Sequence, residues 1–419
     1  MQDDKFEIMS PVGSKESLIA AIQGGADSIY FGAGNLNMRS RSSVNFSLDD
    51  IYEIASICKQ NNIKSYLALN AVLYDEDLKI AKETVLKAKE AGISAIIASD
   101  ISIILYSTKL GIDVHLSTQC NITNIEAVKF YAQFANVIVL ARELNLKQIK
   151  KITETIDKEN IKGPLNEKIK IEIFAHGALC MAISGRCYLS LHTFNASANR
   201  GACYQPCRRP YNVISNDNNF EYKIDNPYIL SPKDLCTIDF LDKIKDAGVK
   251  ILKIEGRGRS PEYVKTVTQC YKEASEALAN GTYNTDKINV WKEKLKNVYN
   301  RGFWQGYYLG EKMNDWNTTS GGSQASRKKF FIGKIENFFS DISVAQVNIE
   351  TGTLNKNDDI IIIGKTTGVV EMKLPAIVVD NRYDVTAKKG DKCTFKTNVL
   401  VRRGDQVYKL INQNEKYQE

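Results

Sequence analysis

FEIMSPVGSKESLIAAIQGGADSIYFG, residues 6–32, holds one complete strand–helix–strand unit. The apolar run Phe6–Met9 gives way to small residues, and Ser14 stands where an N-cap is needed. Leu18, Ala21 and Ile22 then share one helical face, and Gly24-Gly25 stops the helix before a second run, Ser28–Phe31. Ser47 caps a further helix, with Asp50 three residues on and Ile51, Ile54 and Ile57 facing inward. Comparable apolar runs follow at Ser65–Leu69, Ala95–Ala98, Val114–Leu116, Val137–Leu140, Ile171–Phe174 and Ile251–Ile254. Eight β–α units in about 260 residues predict a (β/α)8 TIM-like barrel, since a doubly wound sheet usually stops at about five or six strands.

In such a barrel the chemistry sits at the C-terminal ends of the strands. The residues there are Gly13, Gly32, Asn70, Asp100, Ser117 with Gln119, Arg142 with Glu143, His176, and Glu255 with Arg257. Glu172 and Glu255 lie in strands with apolar neighbours, which points both carboxylates inward at the rim. Glu172, His176, Glu255 and Arg257 are therefore the candidate catalytic residues, for proton transfer, substrate contact or support of a bound group. The bland reading of Glu255 is an ion pair with Arg257, and that of His176 is a backbone-bonded rim histidine. Asn70, Gln119, Arg142, Arg208 and Arg209 are candidate substrate contacts, with Arg39, Arg41 and Arg259 as further phosphate partners and Tyr204 and Tyr211 as stacking surfaces.

Five of the nine cysteines fall between residues 180 and 236, as Cys180-x6-Cys187-x15-Cys203-x3-Cys207 with Cys236 beyond. They stand among glycines (177, 185, 201), Pro206 and arginines, where an apolar filler has no core to fill. Thiolates gathered in this way suit a soft metal or an iron–sulfur site. Cys58, Cys120, Cys270 and Cys393 instead each stand alone in an apolar pattern and read as core fillers. The segment 178–236 begins directly after the seventh strand and runs about 70 residues before the eighth, far beyond an ordinary βα connection. Cys207 lies close enough to Cys203 for both to serve one cluster from a single turn, which favours it over Cys236 as the fourth ligand.

The 43% hydrophobic content marks a globular chain, and no segment approaches about 18 consecutive apolar residues. With no apolar signal core at the start, a cytoplasmic protein without membrane contact is expected. The net charge of +7 is compatible with an RNA or phosphate-bearing partner. The expected division is a barrel over 1–316, a Ser/Thr/Gly-rich linker at 317–327, and a small antiparallel β-barrel over 328–419. The β-barrel is read from about six short strands, and docking is its expected work.

The run Glu172-Ile-Phe174-Ala-His-Gly177-Ala178-Leu179-Cys180-x4-Gly185-x-Cys187-x-Leu189-Ser190 resembles the signature of the peptidase U32 family, or collagenase-like proteases. Met9-Ser-Pro11-Val-Gly13, Tyr30-Phe31-Gly32, Ser117-Thr-Gln119, Ser231-Pro-Lys233-Asp234-Leu235 and Lys253-Ile-Glu255-Gly256-Arg257 extend the likeness over most of the chain. The resemblance implies a barrel with a C-terminal β-module, and a peptidase in some members. In others it implies an oxygen-independent hydroxylation factor for tRNA, ribosomal RNA or ubiquinone synthesis that carries a [4Fe–4S] cluster. Asn199-Arg-Gly201-Ala-Cys203-x3-Cys207-Arg208-Arg209 is similar to the tRNA branch, which forms 5-hydroxyuridine at the wobble position with prephenate as a required metabolite. That branch assigns Cys180, Cys187, Cys203 and Cys207 to the cluster, while the quinone branch uses a cysteine placed like Cys236.

A peptidase needs a thiol with a histidine in reach, or a zinc motif such as His-Glu-x-x-His. The latter is absent, and of the three histidines, His115, His176 and His192, only His176 lies near Cys180 in sequence. The expected function is thus tRNA hydroxylation. Hydrolysis of a peptide substrate is the first alternative, and a non-catalytic RNA-binding or assembly factor the second.

Overall fold

Eight parallel strands close into a ring in the computed structural model, which describes residues 5–41, 45–184, 186–212, 226–310, 322–383 and 386–413. They are β1 (Glu7–Val12), β2 (Ser28–Phe31), β3 (Lys64–Leu69), β4 (Ala95–Ala98), β5 (Asp113–Leu116), β6 (Val137–Val139), β7 (Lys170–Gly177) and, after β8 (Asp234–Cys236), β9 (Ile251–Ile254). Neighbours pair in chain order, and β9 bonds both β1 and β7, which closes the barrel. β7 overruns the others, and its last two residues pair antiparallel with β8, which in turn pairs with β10 (Phe303–Trp304). Each apolar run read from the sequence is one of the eight barrel strands.

The helices are α1 (Lys15–Gln23), α2 (Asp50–Gln60), α3 (Leu78–Ala91), α4 (Ile101–Leu110), α5 (Ile125–Tyr131), α6 (Leu146–Glu159), α7 (Leu189–Phe194), α8 (Leu241–Asp246), α9 (Pro261–Ala279) and α10 (Thr285–Lys296). Ser14 Oγ accepts from the Ser17 amide, the first cap expected. Ser47 and Asp50 exchange hydrogen bonds in both directions, the reciprocal box expected before α2. The inner helix faces, such as Ile51, Ile54 and Cys58 of α2, bury against the outside of the strands.

The C-terminal strands are β11 (Arg327–Phe339), β12 (Val344–Ile349), β13 (Thr353–Leu354), β14 (Asp359–Gly364), β15 (Gly368–Lys373), β16 (Val378–Val379), β17 (Arg382–Tyr383), β18 (Ala387–Lys388), β19 (Lys392–Lys396) and β20 (Gln406–Asn412). They correct one expectation. Among the described residues the sheet runs β15-β14-β20-β11-β12-β19-β16-β17 and does not close; β13 and β18 pair apart from it. The free edge of β15 is met by the barrel instead. The Gln23 side chain donates to the Thr367 carbonyl (2.9 Å) and accepts from the Val369 amide (2.9 Å), while Lys265 Nζ donates to the Val369 carbonyl (2.8 Å). Backbone groups that closure would have paired are thus satisfied by α1 and α9. Gly368 allows the approach: its φ is +68°, and a Cβ there would lie 2.6 Å from Gln23 Oε1. Of the expected linker, residues 317–321 lie outside the described residues, as does Gly185 of the cysteine motif.

Candidate functional site

A cavity of 160 Å3 opens at the C-terminal mouth of the barrel, and its wall carries Cys180, Cys187, Cys203 and Cys207 together. Residues spread over 28 positions of sequence thus face one space with the rim residues Asn70, Gln119, Arg142, Glu255 and Arg257. The cysteine segment is held in place by its neighbours. Arg208 donates to the carbonyls of Leu179 (2.6 Å) and Pro232 (2.6 Å) and to Ser231 Oγ (2.9 Å), which ties both ends of the segment together. Asn199 Oδ1 accepts from the Cys187 amide (3.2 Å). Gly201, at φ +88°, lies where a Cβ would strike Ser40 Oγ at 2.0 Å, so the backbone of 37–41 can pass directly beneath.

The donor set is four thiols with no imidazole in the lining. Among the described residues no three His, Cys, Asp or Glu side chains gather closely enough to hold a single metal ion. A four-iron cluster makes a different demand, since it takes thiolates spread over its corners around a cavity wall rather than converging on one point. Burial raises the Cys207 thiol, Arg208 opposes it, and the charges of Cys180, Cys203 and Cys187 raise it further. Cys236 stands apart: it is buried on β8, its Sγ lies 4.0 Å from the Tyr271 hydroxyl, and burial pushes its thiol up to about 12. It does not line the cavity. The fillers behave alike, with burial pushing Cys58, Cys120, Cys270 and Cys393 up to about 12.

Cations dominate the inner wall. Arg39, Arg142, Lys253 and Arg257 all line it, with Glu255 as the one carboxylate among the described lining residues. Glu255 pairs with Arg39 (3.0 Å) and not with Arg257, the nearest candidate in sequence. Burial pushes the Glu255 carboxyl up, but Arg39, Arg259 and Arg142 outweigh it and hold the group below the usual carboxylate range. Arg257 Nη1 donates to Asn37 Oδ1 (3.0 Å), and burial lowers its guanidinium to about 10. Two rim glycines make room for it, since a Cβ on Gly13 would sit 1.9 Å from the Arg257 carbonyl oxygen and one on Gly32 would sit 2.4 Å from Arg257 Nη1. Arg142 lies 3.8 Å over the Phe174 ring and donates to the Ala178 carbonyl (3.0 Å), while its Nε is buried without a partner. Asn70 Nδ2 donates to Ser117 Oγ (3.3 Å) and Gln119 Oε1 (3.2 Å), which fixes the amide oxygen of Gln119 and leaves its N–H donors for a ligand.

Other candidates lie elsewhere. Glu172 is not at the rim: it stands five residues before the end of β7, roughly 16 Å down the strand. There it is fully buried in the lumen, bonded to Lys253 Nζ (2.8 Å) with His115 Nδ1 at 3.5 Å. It reaches the cavity only through Lys253, a residue whose role sequence reasoning missed although its motif was quoted. Arg208 does line the cavity, though its guanidinium is spent on backbone carbonyls, and Arg209 lies outside it, 4.9 Å over the Phe194 ring.

His176 is also outside. Period-two alternation would put residues 172, 174 and 176 on one face, but the register shifts between Phe174 and His176 against β9. The extra residue forms a bulge that turns the imidazole outward, against Tyr263, Tyr271 and Phe303. It cannot couple with Cys180 there. His115 is in the lumen and His192 is exposed on α7, so no imidazole faces the cavity thiols. Burial lowers the His176 imidazole to about 3, with Arg259 adding to the effect. The folded chain therefore keeps it neutral while the unfolded chain protonates below about pH 6.5, so its stabilising contribution is complete above that value and is lost as pH falls toward 3. In urea unfolding, wild type should lose about 2 kcal/mol more than His176→Gln between pH 8 and about pH 5. Equal losses would show that the histidine is not sealed from protons.

Residues 13–318 match the family described as Peptidase family U32. The chain is 52% identical over 415 residues to a Porphyromonas gingivalis protein named collagenase, covering 99% of this chain and 100% of that one. It is 30% identical over 368 residues to tRNA hydroxylation protein P1 of Bacillus subtilis, covering 86% of this chain and 84% of that one. Over 275 residues it is 36% identical to the 23S rRNA 5-hydroxycytidine synthase of Escherichia coli, covering 65% of this chain and 40% of that one. No helix among the described residues is long and apolar enough to cross a membrane.

Proposed function

This chain belongs to peptidase family U32, and from that premise we propose that it is an oxygen-independent tRNA hydroxylase forming 5-hydroxyuridine at the wobble position. The observation that carries the reading is the shared cavity: four thiols and five cationic residues line one small space at the barrel mouth. Cys180, Cys187, Cys203 and Cys207 would hold a [4Fe–4S] cluster, which supplies one-electron redox chemistry when bound. Arg39, Arg142, Arg257 and Lys253 would bind the carboxylates of prephenate, with the unpartnered Arg142 Nε as one ready donor. Glu255, held ionised by its arginines, offers the uracil ring an anionic acceptor. Gln119 and Asn70 orient polar groups from the opposite wall. Hydrolysis of peptides is the second reading, favoured by the name of the 52% identical relative.

Deleting the gene and measuring tRNA nucleosides by mass spectrometry tests the proposal. Loss of 5-hydroxyuridine derivatives, restored by wild type but not by Cys187→Ser, is the expected result. Unchanged derivatives, together with cleavage of gelatin by the pure protein that disappears in Cys180→Ala, would establish the peptidase reading instead. Unchanged derivatives with no cleavage would leave RNA binding or assembly as the function.

A further inference from the structure

Aromatic residues next in sequence to the cavity lining are exposed. Cys187 and Leu189 line the cavity, and Tyr188 between them is 72% exposed. Cys203 and Gln205 line it, and Tyr204 between them is 49% exposed. Tyr204 meets Phe194 of α7 edge-on, with ring centroids 5.6 Å apart, and the Arg209 guanidinium lies over the same Phe194 ring. Tyr204, Phe194 and Arg209 thus form one exposed aromatic and cationic group, and such exposed groups commonly mark a binding surface.

Charge narrows the choice of partner. From Ala178 to Asn212 the sequence holds four arginines and no aspartate or glutamate. Arg200 is already paired with Asp77 (2.7 Å) and Arg208 with carbonyls, whereas Arg186 and Arg209 are exposed and Arg209 lies over the Phe194 ring. Flat rings beside a guanidinium, on a segment that carries no carboxylate of its own, fit unpaired nucleic acid, whose bases offer faces and whose backbone offers charge. The cavity lies at the barrel mouth among the lining cysteines, so a base that reaches it must first leave its stack and pair.

We infer that Tyr188, Tyr204, Phe194 and Arg209 form a stacking platform that grips unpaired nucleotides flanking the target base and presents that base to the cavity. The platform rests on the RNA-modification reading and assigns its docking surface. The nucleotides on either side stack on Tyr188 and Tyr204, and Arg209 pairs with a phosphate.

The test is fluorescence anisotropy with anaerobically prepared, iron-loaded protein and a labelled RNA hairpin whose loop carries unpaired uridines. Tyr188→Ala and Tyr204→Ala should each weaken binding roughly tenfold. Arg209→Ala should make the slope of log affinity against log salt shallower by about 0.7. A fully paired duplex of the same sequence should bind weakly and be indifferent to both tyrosine substitutions. All three side chains are exposed, and unchanged iron content would show that the site itself is intact. Hairpin binding that the variants leave unchanged would overturn the platform while the hydroxylase reading stands. Displacement of the hairpin by gelatin peptides, with the same residues needed for peptide affinity, would assign the surface to a protein partner. Failure of wild type to bind any RNA, with tRNA nucleosides unchanged on deletion, would remove both.

Discussion

Serine at Cys180, Cys187, Cys203 or Cys207 is expected to strip anaerobically purified protein of its iron, from about four atoms per chain to less than one. Cys236→Ser should leave the iron in place. The contrast follows from position. The first four thiols line a single cavity at the barrel mouth, where one cluster can meet all of them. Cys236 is paired through β8 to His176, buried against Tyr271, and held protonated at neutral pH by that burial. Iron and sulfide analysis with an anaerobic absorption spectrum reads the outcome. Iron lost in Cys236→Ser but kept in Cys207→Ser would move the site to the other arrangement, and stoichiometric zinc without iron would remove the redox proposal.

Why Cys207 rather than Cys236 faces the cavity also shows where sequence reading stops. Spacing favoured Cys207, but what excludes Cys236 is that β7 runs on past the ring and pairs with β8, which no local pattern announces. The eight barrel strands were legible because each is an apolar run bounded by small or polar residues, a signal that lies within a few positions. The bulge at Ala175 was not, since one extra residue reverses every later side chain without changing composition. His176 was misplaced for this reason. Glu172 was misplaced for another: alternation gives the face of a strand but not the depth along it. The open C-terminal sheet was hidden because Gln23, the group that meets its edge, lies more than 340 positions away in sequence.

Lys253→Met is expected to cost about 3–5 kcal/mol of stability, the usual penalty for leaving one member of a buried ion pair alone. Glu172 has no exposure, and Lys253 Nζ at 2.8 Å is its closest cation. Burial drives both groups toward neutrality. For Glu172 the attraction of Lys253 and His115 prevails and keeps the carboxyl below its usual range; for Lys253 burial, helped by Arg257 and Arg142, prevails over Glu172 and lowers the ammonium. In Lys253→Met the orphaned carboxylate loses its main support and is favoured in its protonated form. The gap to wild type should therefore narrow as pH falls, and urea unfolding at two pH values would show it. Adding Glu172→Gln removes the unpaired charge, so the double variant should recover most of the lost stability. Function should not recover with it, because the Lys253 amine lines the cavity beside Arg142 and Arg257 while Glu172 only steadies it from beneath. A double variant that is stable, loaded with iron and unable to restore the tRNA modification would separate the two roles. Full restoration would mean that the pair serves the fold alone, and that the cation the cavity needs is one of its arginines.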